Sequence, residues 1–207
     1  MTWTLNHIPD ILEALWQHIV LVVVSVGIAF AISLVVGIWS SRRPRIYAAV
    51  IGLTGAIYAV PSLAMFAMLI PLVGLGLVPA LIGLASYSLL ILIRNVATGL
   101  REIPAEIIEA AEGMGYGRWQ RLVHVELPLA MPVIIAGLRI AIVTVIGIAT
   151  IAAYINAGGL GVLIFAGINQ SFGEKILVGA LLSSGMAITA DFVLTRVERR
   201  LRAARAG

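Results

Sequence analysis

Five apolar runs of membrane-crossing length, separated by arginines or by turns of glycine and proline, leave this chain one general way to fold. The runs cover about residues 19–39, 47–70, 78–96, 131–154 and 176–194, and about 20 apolar residues carry a helix across the bilayer hydrocarbon. Backbone polar groups have no water to bond there, so each run closes its hydrogen bonds within itself as a helix. Only 12% of the 207 residues are charged and 61% are hydrophobic, against roughly a quarter charged in soluble domains. The expected fold class is therefore an all-α integral membrane protein, with 1–207 as a single transmembrane domain and no large soluble core beside it. There is no cysteine, which excludes a disulfide framework and thiol chemistry.

The basic residues set the orientation. Arg42, Arg43 and Arg45 separate the first two runs, Arg101, Arg118 and Arg121 lie between the third and fourth, and Arg196, Arg199, Arg200, Arg202 and Arg205 follow the fifth. Cytoplasmic loops carry such an excess, so the N-terminus is expected outside and the C-terminus in the cytoplasm, with Lys175 on an outer connection. Because the arginines flank apolar runs and form no aromatic-interleaved patch, the net charge of +4 does not indicate nucleic acid. Ile8, Leu12, Leu15 and Trp16 share a face that excludes Asp10 and Glu13, which predicts a short interfacial helix over 8–16 leading into the first span. No Lys or Arg precedes Arg42, so the N-terminus reads as uncleaved. Trp3, Trp16 and Trp39 suit interfacial anchoring.

Several polar groups fall within the runs. Pro61-Ser62 interrupts the second, where the proline removes a backbone bond and the serine hydroxyl can help satisfy the freed carbonyl; the reading is a kinked span, or a hinge facing a pore. Arg94 is expected to snorkel toward the cytoplasm beside Arg101. Arg139 and Asp191 both fall in the cytoplasmic third and can pair, as a structural contact or as part of a gate. Arg139, Val143, Gly147, Thr150 and Tyr154 lie within an arc of roughly 80° on a helix, a stripe that suits either a lined pathway or close packing. Tyr58, Ser86, Tyr87 and Ser88 are further pathway candidates. The run Asn156-Ala157-Gly158-Gly159-Leu160-Gly161 is an outer turn, structured or flexible, since it lacks the Gly-Lys-Ser/Thr ending of a phosphate loop. His7, His18 and His124 are scattered without metal-ligand spacing.

The charged interlude at 101–128 is the most informative stretch. Pro104 at a first helical position and Gly113 and Gly115 at the end predict a helix over 103–114. Ile107, Ile108, Ala111 and Met114 share one face, while Glu102, Glu106 and Glu109 share another. Carboxylates would be repelled by an anionic leaflet, so this helix suits a protein partner, and Ala110, Ala111, Gly113 and Gly115 permit close approach. A second short helix is expected over 118–125, ended by Leu127-Pro128.

Glu109-Ala110-Ala111, Gly115 four residues on, and Val125-Glu126-Leu127-Pro128 ten residues beyond Gly115 resemble the E-A-A…G…I-x-L-P loop of ABC-importer permeases, with Val125 in place of the usual Ile. The resemblance implies the type I permease fold of about five transmembrane helices, with a cytoplasmic coupling helix between spans 3 and 4. It implies a docking role toward the ATP-hydrolysing subunit for Glu106, Glu109, Ala110, Ala111, Gly115, Leu127 and Pro128. No cofactor is expected in this chain, since ATP and Mg would be bound by the partner ATPase. Implied partners are that cytoplasmic subunit, a second permease, identical or related, an extracytoplasmic solute-binding protein and membrane lipid.

Within those permeases, Tyr58 to Phe66, with its Val-Pro-Ser-Leu-Ala core, Arg118-Trp119-Gln120-Arg121-Leu122, and Ala157 to Gly161 resemble the osmoprotectant group importing glycine betaine, carnitine or choline. The last of these implies an outer glycine turn at Gly158, Gly159 and Gly161. A methionine-type importer permease is the close alternative. An ATPase-independent secondary transporter or channel is the rival from another class; the odd span count and absence of a repeat argue against it. The pathway or gating candidates are Pro61, Ser62, Tyr87, Arg139, Thr150, Tyr154 and Asp191.

Overall fold

The computed structural model describes residues 2–203, and every regular element among them is helical. After a first turn, α1 (Thr2–Asn6), the chain enters α2 (Ile8–Ser41) with Pro9 in the opening turn, where a missing N–H costs nothing. The separate interfacial helix expected over 8–16 is instead the start of α2. No proline or glycine follows Pro9 until Gly27, so nothing divides the two. At the far end Pro44 holds Arg43 in an extended conformation (φ −132°, ψ 89°) and α2 stops.

The second apolar run departs furthest from expectation. In place of one kinked span it forms two helices, α3 (Pro44–Ala59) and α4 (Ser62–Val73), meeting at 96°. Two consecutive extended residues, Val60 (ψ 130°) and Pro61 (ψ 135°), make the elbow, the conformation a proline imposes on itself and its predecessor. Not Ser62 but Tyr87 serves the freed Val60 carbonyl, donating its hydroxyl hydrogen bond at 2.5 Å.

Next comes α5 (Leu77–Arg101), then the short exposed α6 (Ala105–Gly113), with Pro104 immediately before it. α7 (Arg118–Arg121), a π-helical turn (Leu122–Glu126), α8 (Leu127–Ala152) and a 3-10 turn (Ala153–Ile155) follow without interruption. Leu127-Pro128 therefore does not end a helix. The π-turn lets the Leu127 N–H bond the Leu122 carbonyl five residues back, so the backbone passes through Pro128 with its hydrogen bonding re-phased. This 38-residue rod is about 57 Å long against roughly 30 Å of hydrocarbon, so residues 118–126 project beyond the membrane. The nine residues of α9 (Gly161–Asn169) are too few to cross, and α10 (Gly173–Ala203) completes the chain.

Among the described residues, α2, α5, the rod and α10 are long and apolar enough to span a bilayer, and the α3–α4 pair is a bent fifth candidate. α5 is the central element, packed along α2 on one side and α8 on the other. Small residues set these approaches: Gly37 faces Val96 and Gly137 faces Asn95 so closely that a Cβ at either would lie within 2.6 Å of the neighbour, as at small-residue seams of membrane helices. Leu21, Val26, Leu84, Leu92, Val145 and Ala149 fill the space between. One end of the bundle gathers the α2–α3 turn, the 118–126 segment and the C-terminal part of α10. At the other, Gly76 N–H donates to the Ile155 carbonyl (2.7 Å) and Thr4 donates to Glu174 (2.7 Å).

Candidate functional site

α6 stands out from the bundle. Glu106, Glu109 and Ala110 are exposed, Ala111 alone is buried, and Ile107 and Met114, on the predicted apolar face, are open to solvent. Gly115, at φ 85°, reverses the chain after the helix, a conformation glycine adopts without a steric penalty. Trp119 is 74% exposed beside it. Leu127 and Pro128 lie at the base of α8, half-buried and exposed respectively.

A ladder of ion pairs holds this protrusion to the bundle. Glu126, on the π-turn, receives both of its oxygens' bonds from Arg42 Nη2 (2.5 and 2.6 Å) and a third from Arg121 Nε (2.8 Å). Arg121 also pairs through Nη1 with Glu112 at the end of α6. Arg121 and Glu126 are both buried, whereas Arg42 is half-exposed. Burial opposes ionisation of Glu126, but the hydrogen bonds from Arg42 and Arg121 outweigh it and hold the carboxyl below its ordinary value. The Arg121–Glu126 pair thus joins α2, through Arg42, to the end of α6, through Glu112. Sequence reasoning singled out neither Arg42 as a partner of Glu126 nor Glu112 as a partner of Arg121, because periodicity within one element cannot reveal pairs formed between elements.

At the opposite end the glycine turn is a docked junction. Gly158 and Gly159 take φ of 80° and 81°. Gly159 N–H donates to Gln17 Oε1 (3.0 Å), Leu160 N–H donates to His18 Nδ1 (3.2 Å), and His18 Nε2 donates to the Ile146 carbonyl (3.1 Å). His18 is fully buried, and its two bonds fix the tautomer with hydrogen on Nε2. A histidine at the border of an apolar run was the available signal that a polar partner is needed here. Gly161 lies against α8, where a Cβ would come within 1.9 Å of the Thr150 carbonyl oxygen.

The pathway candidates separate into three groups. Arg139 turns toward α10, bonding Thr195 Oγ1 (2.6 Å) and lying 3.7 Å from Asp191 and 4.0 Å from Glu198; the pairing expected with Asp191 is present, within a larger cluster. Thr150 bonds its own helix at the Gly147 carbonyl (2.8 Å), and Tyr154, 66% exposed, meets Phe165 edge to face at 5.0 Å. Pro61, Ser62 and Tyr87 form the elbow, where Tyr58 packs edge-on against the buried Tyr87 (5.9 Å). A groove of about 360 Å³ opens beside Tyr58, lined by Leu90, Ile91, Arg94, Asn95 and Ile140.

The chain combines a central three-helix seam, a broken second span and a projecting acidic helix, and the comparisons with known proteins place it among transport permeases. Residues 29–203 match the binding-protein-dependent transport system inner membrane component family, and the chain belongs to it. It is 40% identical over 192 residues to a carnitine transport permease protein, OpuCB, of Listeria monocytogenes, covering 93% of this chain and 88% of that one. It is 35% identical over 201 residues to the glycine betaine/carnitine/choline permease OpuCB of Bacillus subtilis (97% and 93%), and 39% over 188 residues to the osmoprotectant import permease OsmW of Salmonella typhimurium (88% and 87%). In structure it resembles a chain of the inward-facing MetNI methionine ABC transporter, with a TM-score of 0.81 at 24% identity over 92% of this chain and 95% of that one, a likeness of fold. The protein is therefore an inner-membrane permease subunit of a binding-protein-dependent ABC system, not an enzyme; in such systems the ATPase is a separate subunit.

Proposed function

We propose that this chain lines the solute path of an importer for compatible solutes carrying a quaternary ammonium group, such as glycine betaine, carnitine or choline. In this reading α6 docks on the cytoplasmic ATPase, which binds ATP and Mg, and Glu106, Glu109, Ala110, Ala111, Gly115, Leu127 and Pro128 form or brace the docking surface. A second permease, identical or related, completes the path, and an extracytoplasmic binding protein delivers the solute to the end where the glycine turn of Gly158, Gly159 and Gly161 lies. The N-terminus is outside and the C-terminus cytoplasmic. The carrying observation is the exposed acidic α6 tied through Arg121 and Glu126 to both α2 and the rod. The substrate class is supported by relatives along nearly the whole chain whose names specify those solutes.

The test is solute-stimulated ATP hydrolysis in liposomes by the native complex and by Glu109→Lys. Glycine betaine, carnitine, choline and methionine are assayed in parallel. Stimulation by a quaternary amine, lost in the variant together with stable ATPase binding, is the expected outcome. Stimulation by methionine alone refutes the substrate class, and full coupling in Glu109→Lys refutes the docking role.

A further inference from the structure

We propose that the groove between α3, α5 and α8 is a solute subsite in which Arg94 anchors a carboxylate and the Tyr58 ring faces the quaternary ammonium group. The inference rests on the substrate class just proposed and adds the residues that would distinguish its members.

Arg94 is the starting point. It lies seven residues before Arg101, about 10 Å farther along the helix, whereas Arg101 already occupies the helix end with its guanidinium 4.8 Å from the Tyr47 ring centre. Arg94 is exposed and makes no hydrogen bond or ion pair with any described residue. Arg139, the other arginine well inside a span, has Thr195, Asp191 and Glu198 around it. An unpaired guanidinium facing hydrocarbon is costly, and such groups instead face water, a cavity or a ligand. The groove supplies the cavity, and at about 360 Å³ it lies in the size range of small-molecule sites.

The opposite end supplies a π face. Tyr58 is 38% exposed and rests edge-on against Tyr87, whose hydroxyl is committed to the Val60 carbonyl. The elbow therefore fixes the ring in place. Leu90 is one turn from Arg94, and Ile91 is one turn from both Tyr87 and Asn95, so an apolar strip separates the aromatic end from the guanidinium. An alkylammonium is attracted to an aromatic face, and a guanidinium takes a carboxylate through paired hydrogen bonds. The order of ring, apolar floor and guanidinium matches a zwitterion with its two charges a few bonds apart. One ring, short of a full cage, makes for weak retention, which suits a site that must release its occupant.

Choline separates the two halves of the site, because it keeps the quaternary ammonium and has a hydroxyl in place of the carboxylate. The experiment measures ATP-driven uptake of labelled glycine betaine, carnitine and choline by the full reconstituted importer, with the same binding protein throughout. Arg94→Gln is expected to lower glycine betaine and carnitine uptake about tenfold relative to choline, the loss of one charge-assisted contact. Arg94→Lys, which keeps the charge without the fork, is expected to shift that ratio less, and Tyr58→Leu to reduce all three alike. An unchanged ratio in both Arg94 variants overturns the subsite, as does an equal loss of all three solutes in an assembled Arg94→Gln complex, the pattern of an arginine held by lipid phosphate. Failure of the native complex to move any of the three overturns the substrate class and the subsite with it.

Discussion

Gly161 shows how much a single missing methyl group decides. A Cβ there would press into the Thr150 carbonyl, which is rigid helix backbone, whereas at Gly147 it would meet nothing within 4 Å. Gly161→Ala is expected to lower stability by about 1–3 kcal/mol, the range for overpacking, and Gly147→Ala to leave it nearly unchanged; thermal unfolding in detergent compares the two. Glycine at 158–161 was legible in the sequence as a turn, and Gly158 and Gly159 take left-handed angles there. Its attachment to Gln17 and His18 was not, because those residues lie 142 positions away: a histidine beside an apolar run signals that some polar partner is needed, but not which one.

At the scale of elements, the ladder through Glu126 determines whether α6 moves with the bundle or independently of it. Glu126→Gln leaves Arg121 buried with only Glu112. It is expected to destabilise the loop by about 3 kcal/mol, the low end for a broken buried pair, since half-exposed Arg42 rehydrates. Increased protease cleavage near Gly115 would report the loosening. The pH dependence follows from the depressed carboxyl. Glu126's contribution is complete above its ordinary value of 4.5 and disappears as pH falls through the lower folded value. Cleavage of the native loop is therefore expected to be flat from neutral pH to about 5 and to rise below 4.5, with the Gln variant lacking that rise.

The elements themselves were largely legible: α5 and α10 contain the predicted third and fifth runs, and α6 lies inside the predicted 103–114. The misses share a cause. Pro61 and Pro128 are both prolines inside apolar surroundings, yet one makes a 96° elbow and the other sits in an unbroken rod. The difference lies in what surrounds each: a tyrosine from another helix donates its hydroxyl hydrogen to the exposed carbonyl at the first, and a π-turn shifts the bonding at the second. Neither compensation can be read from the proline's own neighbourhood.

For the whole molecule, the two ends of the bundle have opposite character. Arg42, Arg121, Arg139, Arg196, Arg199, Arg200 and Arg202 fall toward one end, and Lys175 toward the other. Positive charge is retained on the cytoplasmic side, so in a cysteine-free chain single cysteines at Gln120 and Ser171 are expected to react with an impermeant thiol reagent from opposite faces, Ser171 from outside in intact cells. Labelling of both from the same face would refute the orientation.

The unbroken helix from Arg118 to Ile155 has a mechanical consequence. A rod about 57 Å long would move its far tip by about 1 Å for every degree it pivoted about its base. Its base carries the Arg121–Glu126 pair that joins α6 to α2, and its tip runs into the turn held by Gln17 and His18. A few degrees of swing at one end would therefore carry the other by a few ångströms, farther than those two hydrogen bonds can stretch.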